Sequence, residues 1–195
     1  MSIVGITGLI GSGKTTVGQI LRSMGYVVYN MDVWCRQLYN DPVFIDRIYH
    51  HFDFCFENGV FNKKILRKKV FENQTELKKL ENLTHPQLIS RFKYTVHYYR
   101  FEPYPVFIES ALLKQMGLDK YCSDVIETTA PVDVMQDRVM KRDHITKEDY
   151  LNIYHQQNQK QNKKYQKNHF MIDTNQNTRI IKADLIKLLQ RIEQC

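Results

Sequence analysis

Eight consecutive residues near the start of the chain, Gly8-Leu9-Ile10-Gly11-Ser12-Gly13-Lys14-Thr15, satisfy the phosphate-loop pattern G-x-x-x-x-G-K-[ST]. The spacing has a physical reason. Glycines reach backbone angles closed to other residues, so successive N–H groups can converge on phosphate oxygens. A helix starting at the end of the loop aims its positive end at the same anion. Lys14 is long enough to reach β- and γ-phosphates, and the Thr15 hydroxyl is a ligand for Mg²⁺. Gly11, Ser12, Gly13, Lys14, Thr15 and Thr16 are therefore the expected residues for holding the phosphates of a nucleoside triphosphate.

Other residues have side chains suited to phosphoryl chemistry, each with a plainer alternative. Asp32 closes the second apolar run; it can accept a proton from an attacking hydroxyl, or serve only as the N-cap of the next helix. Arg36, one turn on, can pair with Asp32 or meet substrate phosphate. Arg67 lies in a basic stretch, Asn62 to Asn73, that is either a solvated face or a phosphate contact. His85 precedes Pro86, as a capping or packing residue often does. Glu109 ends the run Tyr104-Pro-Val-Phe-Ile108, either as the strand-end acid that sits near Mg²⁺ or as a helix cap. Arg138 and Arg142 are four apart on one helical face, to offset phosphoryl charge or stack on adenine, or else to pair with Asp137 and Asp143 in solvent.

These residues need a frame. Ile3, Val4 and Ile6 form a short strand before the loop, and Val17, Ile20, Leu21 and Met24 recur at helical spacing after it. Gly25 stops that helix, and Tyr26–Tyr29 is a second strand. Strand, loop, helix, strand is the opening of a parallel α/β fold with ligands at the strands' carboxyl ends. Residues 41–100 read as mostly helical: Asp41-Pro42 starts one helix, Asn58-Gly59 turns, and His85-Pro86 opens another. Further strands are expected at 104–108, 123–128 and 170–172, with a helix from Pro131 and a C-terminal helix marked by Ile181, Leu185, Leu188, Leu189 and Ile192. Thr146 and Asp149 fit a capping box, and a helix runs on toward Tyr165. Eight of the thirteen residues from Gln156 to Asn168 are Gln or Asn and four are Lys, which predicts an exposed or mobile helix.

Composition narrows the classes. The chain has 195 residues, 43% hydrophobic and 25% charged, typical of a globular protein. Cys35, Cys55, Cys122 and Cys195 are too scattered for a C-x-x-C pair, and free thiols are expected. There is no signal-peptide pattern and no apolar run of membrane-spanning length, so a cytoplasmic location is expected. The net charge of +7 suits either nucleic acid or phosphate-rich small molecules. With a phosphate loop and no RNA-recognition signature, small molecules are favoured, with no nucleic-acid or membrane partner.

Several stretches together resemble the dephospho-coenzyme A kinase family, the last enzyme of coenzyme A biosynthesis. The loop is similar to that family's T-G-G-I-G-S-G-K-S-T. Asn30-Met-Asp-Val-Trp-Cys-Arg36 lies where the family has Asp-Ala-Asp followed by Arg, and Leu66, Arg67, Phe71, Leu80 and His85-Pro86 resemble its L-R…F…L…H-P block. Pro105-Val-Phe-Ile-Glu109, Arg138 with Arg142-Asp143, and Met171-Ile-Asp173 match the remaining segments in order. Leu9 replaces a loop glycine, Asn30 replaces the first Asp, and Met135 stands where glutamine is usual.

The resemblance implies transfer of the γ-phosphoryl of ATP, with Mg²⁺, to the ribose 3′-hydroxyl of dephospho-coenzyme A. It implies Lys14, Asp32 and Arg138 as catalytic residues, Asp32 as the base, and Arg138 and Arg142 on ATP. Arg36, Arg67, His85 and Glu109 stand as acceptor-side candidates. It further implies a three-layer α/β/α phosphate-loop kinase fold with a parallel sheet. The core would be about 1–40, 101–139 and 169–195, the helical acceptor-binding region about 41–100, and the helical lid about 140–168. A monomer is expected. The alternatives are another small-molecule kinase of this fold, with a nucleoside, nucleotide or shikimate-like acceptor, a nucleotide-dependent binding module, or a degenerate member of weak activity.

Overall fold

The structure, a computed structural model, describes residues 2–161 and 168–193. In chain order its main elements are β1 (Ile3–Thr7), α1 (Lys14–Ser23), β2 (Val28–Asn30), α2 (Met31–Leu38), α3 (Pro42–His51), β3 (Phe56–Glu57), β4 (Val60–Phe61), α4 (Lys63–Glu72), α5 (Gln74–Tyr98), β5 (Val106–Glu109), β6 (Asp124–Thr129), α6 (Val132–Asp143), α7 (Lys147–Gln161), β7 (Asn168–Asp173) and α8 (Thr178–Glu193). They form two compact units, one of Met1–Asn30 with Lys93–Cys195 and the other of Met31–Phe92.

The first unit is built on a five-stranded sheet of order β2-β5-β1-β6-β7, parallel throughout. β1 is central and buried along its whole length, as a strand covered on both faces must be. Val4 and Ile6 point to one face, where Val17, Ile20 and Leu21 of α1 and Ile181, Leu185, Leu188 and Leu189 of α8 close over them. Each side chain fully buried in this cluster contributes about 1.5–3 kcal/mol to the unit's stability. Gly5 points the opposite way by strand alternation, and Leu113 and Cys122 come against it. The parallel sheet flanked by helices is the fold class expected.

The second strand starts later than its apolar run. The Tyr26 N–H still donates to Leu21 O of α1 (3.1 Å), and its ring meets Phe107 edge-on. Pairing with β5 begins only at Val27, whose carbonyl accepts from the Phe107 N–H (2.9 Å).

The second unit packs Phe44, Ile48, Phe52, Cys55, Leu66 and Val70 into its own core. Asp41 caps α3 by accepting from the Val43 N–H, and Asn62 caps α4 by accepting from Lys64 and Ile65. Asn58 and Gly59, both at positive φ, turn the β3–β4 hairpin.

One expected boundary is wrong. His85-Pro86 does not open a helix: α5 begins at Gln74 and runs through Pro86. Asn73 supplies the real start, its Oδ1 accepting from the Thr75 N–H at 2.9 Å. An interior proline loses one backbone bond and costs about 3 kcal/mol. Burial on both sides offsets this, since Leu80 and Leu83 pack on the core before it and Leu88 and Phe92 are buried after it.

Cys35, Cys55 and Cys122 are free thiols, as expected, and Cys195 lies outside the described residues. No described helix is long and apolar enough to cross a membrane.

Candidate functional site

The loop between β1 and α1 is shaped by glycines that nothing else could replace. Gly11 has φ +81°, and a Cβ on it would lie 2.5 Å from the Met135 backbone oxygen. Gly13, the N-cap of α1, has φ +87°, and its Cβ would lie 2.5 Å from Thr174 Oγ1. Both positions combine a left-handed backbone with contact too close for a side chain.

Lys14 arches back over this loop. Its Nζ donates to the carbonyls of Gly8 and Leu9, both at 3.0 Å. The ammonium thus sits on the loop itself, where a bound triphosphate would need its charge. Thr15 Oγ1 donates to Glu109 Oε1 at 2.6 Å. Glu109 is 2% exposed, and its Oε2 is buried without a hydrogen-bond partner. A hydroxyl and a carboxylate with one orphaned oxygen are hard donors, and Mg²⁺ in phosphoryl transfer needs one or two such ligands beside phosphate and water. The residues present fit that ion. No helix follows β5 at Glu109, so the helix-cap reading falls away. Thr16 is exposed beside Thr15 on the first turn of α1.

A hydroxyl network holds the loop from the other side. Thr128 Oγ1 donates to the Thr7 carbonyl at 3.1 Å. Its single proton being spent there, Ser12 Oγ is the donor in their 2.7 Å contact. Thr174 Oγ1 lies 2.9 Å from the Ser12 carbonyl and accepts from Arg138 Nη1 at 2.9 Å. Arg138 Nη2 donates to the Thr174 carbonyl at 2.8 Å, and Nη1 to the Gly11 carbonyl at 3.3 Å. Arg138 is therefore drawn onto the loop, away from the solvated pairing that its spacing also allowed. Arg142 is different: its guanidinium makes a two-point contact with the neighbouring Asp143 carboxylate, and it is exposed.

The loop also carries an apolar contact. Leu9 and Ile10 pack against Met135, Val139 and the fully buried Tyr150 of α7. Burial pushes the Tyr150 phenol up to about 12. Leu9, in place of a glycine, thus has a packing role. Thr146 and Asp149 form a reciprocal capping box at the start of α7. Gln157 Oε1 accepts from the Ile10 N–H at 2.8 Å. The Gln/Asn/Lys stretch is therefore not wholly an exposed face. Its part within 162–167 lies outside the described residues, and Asn168 opens β7.

The remaining candidates lie in the second unit. Asp32 is the second residue of α2, inside its first turn rather than at its N-cap. Asp32, Arg36 and Lys63 all act on the Cys35 thiol, which burial first and Asp32 second push above its ordinary value. Arg67 is exposed on α4, and His85 is half-buried inside α5.

Thr128, Thr174 and Gln157 were not singled out from sequence. Each is an ordinary polar residue whose partner on the loop is at least 116 positions away, and no local spacing announces such a pair.

The profile of the dephospho-CoA kinase family matches residues 2–179. A dephospho-CoA kinase of Pseudoalteromonas translucida is 31% identical over 189 residues, 95% of this chain and 89% of that one. A crystal structure of a Thermus thermophilus protein superposes with a TM-score of 0.78 at 26% identity, covering 97% of both chains. Dephospho-CoA kinase from Campylobacter jejuni superposes with a TM-score of 0.65 at 22% identity, over 100% of this chain and 98% of that one.

Proposed function

The chain belongs to the dephospho-CoA kinase family and phosphorylates dephospho-CoA in coenzyme A biosynthesis; we propose that it does so by passing the γ-phosphoryl of ATP to the ribose 3′-hydroxyl through the residues of its phosphate loop. The observation that carries this reading is the pair of contacts at the head of α1, Lys14 folded onto the loop carbonyls and Thr15 bonded to the buried Glu109.

Backbone N–H groups of Gly11 and of Gly13 to Thr15 hold the β-phosphate at the positive end of α1, while the Ser12 N–H closes the loop on the Leu9 carbonyl at 3.1 Å. Lys14 exchanges its carbonyl partners for β- and γ-oxygens. Thr15 and Glu109 would hold Mg²⁺, which supplies charge neutralisation on those oxygens when bound. Arg138, already oriented against the loop, meets the charge that spreads over the transferring group. Arg142 lies one turn further along α6 and serves the same nucleotide from the lid side. Together they exclude water that would otherwise hydrolyse ATP.

Asp32 accepts the proton of the attacking hydroxyl. This role comes from the match of its segment to the family's base. Arg36, Arg67 and His85 belong to the acceptor side of the same reading. Glu109 moves from that group to the metal side, because its carboxylate is bonded to Thr15. Cytoplasmic location and a monomeric enzyme acting on small molecules complete the proposal.

The test is ADP release from ATP against a panel of acceptors: dephospho-CoA, nucleosides, nucleotides and shikimate. Strong stimulation by dephospho-CoA alone is expected. Equal stimulation by another alcohol would move the chain to another kinase activity of this fold. Salt-sensitive RNA binding without acceptor-dependent turnover would make it a binding module.

A further inference from the structure

Thr174 follows directly after β7 and is 4% exposed. Its backbone N–H donates to the Thr129 carbonyl at 2.8 Å, which fixes it to the end of β6. From that anchored position it makes contacts of two kinds. Its carbonyl and hydroxyl take the two terminal nitrogens of Arg138, at 2.8 and 2.9 Å. Its hydroxyl proton lies between the carbonyls of Ser12, at 2.9 Å, and Thr129, at 3.2 Å.

Each contact has a directional consequence. A guanidinium is planar with a rigid fork of donors, so two acceptors on one residue fix both its position and its plane. A trans peptide points its C=O and N–H in opposite directions. Drawing the Ser12 carbonyl toward Thr174 therefore turns the Gly13 N–H away from it, to the side from which a phosphate would approach. The contact is close: a Cβ on Gly13 would meet Thr174 Oγ1 at 2.5 Å.

We propose that Thr174 is a positioning residue for phosphoryl transfer, holding Arg138 and the Ser12–Gly13 peptide in one fixed relation before ATP arrives. It touches neither substrate and acts through both groups. The inference rests on the proposed role of Arg138, and its test separates the two.

The experiment measures dephospho-CoA-dependent ADP release by the full chain carrying Thr174→Val, Thr174→Ser, Arg138→Ala, Arg138→Lys and the Thr174→Val/Arg138→Ala pair. Valine keeps the shape and removes the hydroxyl. It is expected to lower kcat/KM for ATP by roughly 10- to 100-fold, the scale of a misplaced catalytic group, with KM for dephospho-CoA unchanged. Serine keeps the hydroxyl and is expected to remain within about threefold of the native chain. The pair is expected to lose less than the product of the two single losses. Arg138→Lys keeps the charge without the fork and should reproduce the valine loss, so the inference stays testable if valine destabilises the fold. ATP-induced thermal stabilisation should shrink in Thr174→Val and not in Thr174→Ser.

Native kinetics in Thr174→Val or in Arg138→Lys would overturn the inference. So would a double variant whose losses multiply fully, because Thr174 would then act apart from Arg138. Native turnover in Arg138→Ala would instead overturn the role given to Arg138.

Discussion

Thr15 Oγ1 and Glu109 Oε1 are 2.6 Å apart, joining the first turn of α1 to the end of β5, and the second carboxylate oxygen is buried with no hydrogen-bond partner. A buried carboxylate oxygen left in this way is costly unless something else completes it. Glu109→Gln keeps the size and an acceptor for Thr15 but removes the charge. The Mg²⁺ concentration for half-maximal turnover should rise roughly 10- to 100-fold, as for the loss of a group that supports a metal ligand. Initial rates over a Mg²⁺ titration check this, and an unchanged curve would show that Glu109 serves only to fix Thr15.

Gly11→Ala forces a side chain into a left-handed backbone with φ +81° and a Cβ 2.5 Å from the Met135 backbone oxygen. The backbone penalty alone is about 1–2 kcal/mol, and the contact requires the loop or α6 to move. ATP binding measured by calorimetry should be lost while the far-ultraviolet circular dichroism spectrum stays native. Native affinity would mean that the loop can rearrange at little cost.

Phe52→Ala removes a fully buried ring from the core of the second unit, where it lies among Phe44, Ile48 and Leu66. Such truncations cost about 3–5 kcal/mol. Urea denaturation should show a loss of that size, and a loss below about 1 kcal/mol would mean that the cluster closes over the cavity.

The parts legible in the sequence were those whose signal is local. The glycines and Lys14 of the loop, the Asp41 cap, the Asn58-Gly59 turn and the Thr146–Asp149 box each declare themselves within a few residues. What was not legible depended on tertiary contact. Pro86 reads as a helix start, yet buried side chains before and after it carry α5 straight through. Tyr26 reads as strand, yet it completes the exit from α1. Thr174 and Gln157 gain their partners only because β7 lies beside β6 and α7 lies on the loop.

The Asp149 carboxyl is held below its ordinary value first by the Thr146 hydroxyl and then by the Thr146 backbone N–H. The folded chain therefore binds this proton less readily than the unfolded chain. The contribution to α7 is fully present above the ordinary carboxylate range and is lost as pH falls through the depressed folded value. Hydrogen exchange of α7 amides, corrected for intrinsic rate, should show less protection at pH 3 than at pH 5. In Asp149→Asn that difference should vanish, and a difference that persists would locate the titration elsewhere.

Gln157 reaches the loop from α7, accepting from the Ile10 N–H at 2.8 Å, while Leu9 and Ile10 pack in the cluster that holds Tyr150. The apolar contacts bring helix and loop together, and the hydrogen bond sets their register, because an amide oxygen must meet one particular N–H. Gln157→Ala keeps the helix, since alanine is the better helix former, and removes the acceptor. The Ile10 amide should then exchange with solvent about tenfold faster, or more, as a local opening without the bond to resist it. Water should also reach bound ATP more easily, so ATP hydrolysis without acceptor should rise relative to transfer. Exchange at Ile10 and the ratio of hydrolysis to transfer are measured separately. Faster exchange with an unchanged ratio would confine Gln157 to bracing the loop. Native exchange at Ile10 would mean that packing around Tyr150 sets the register without it.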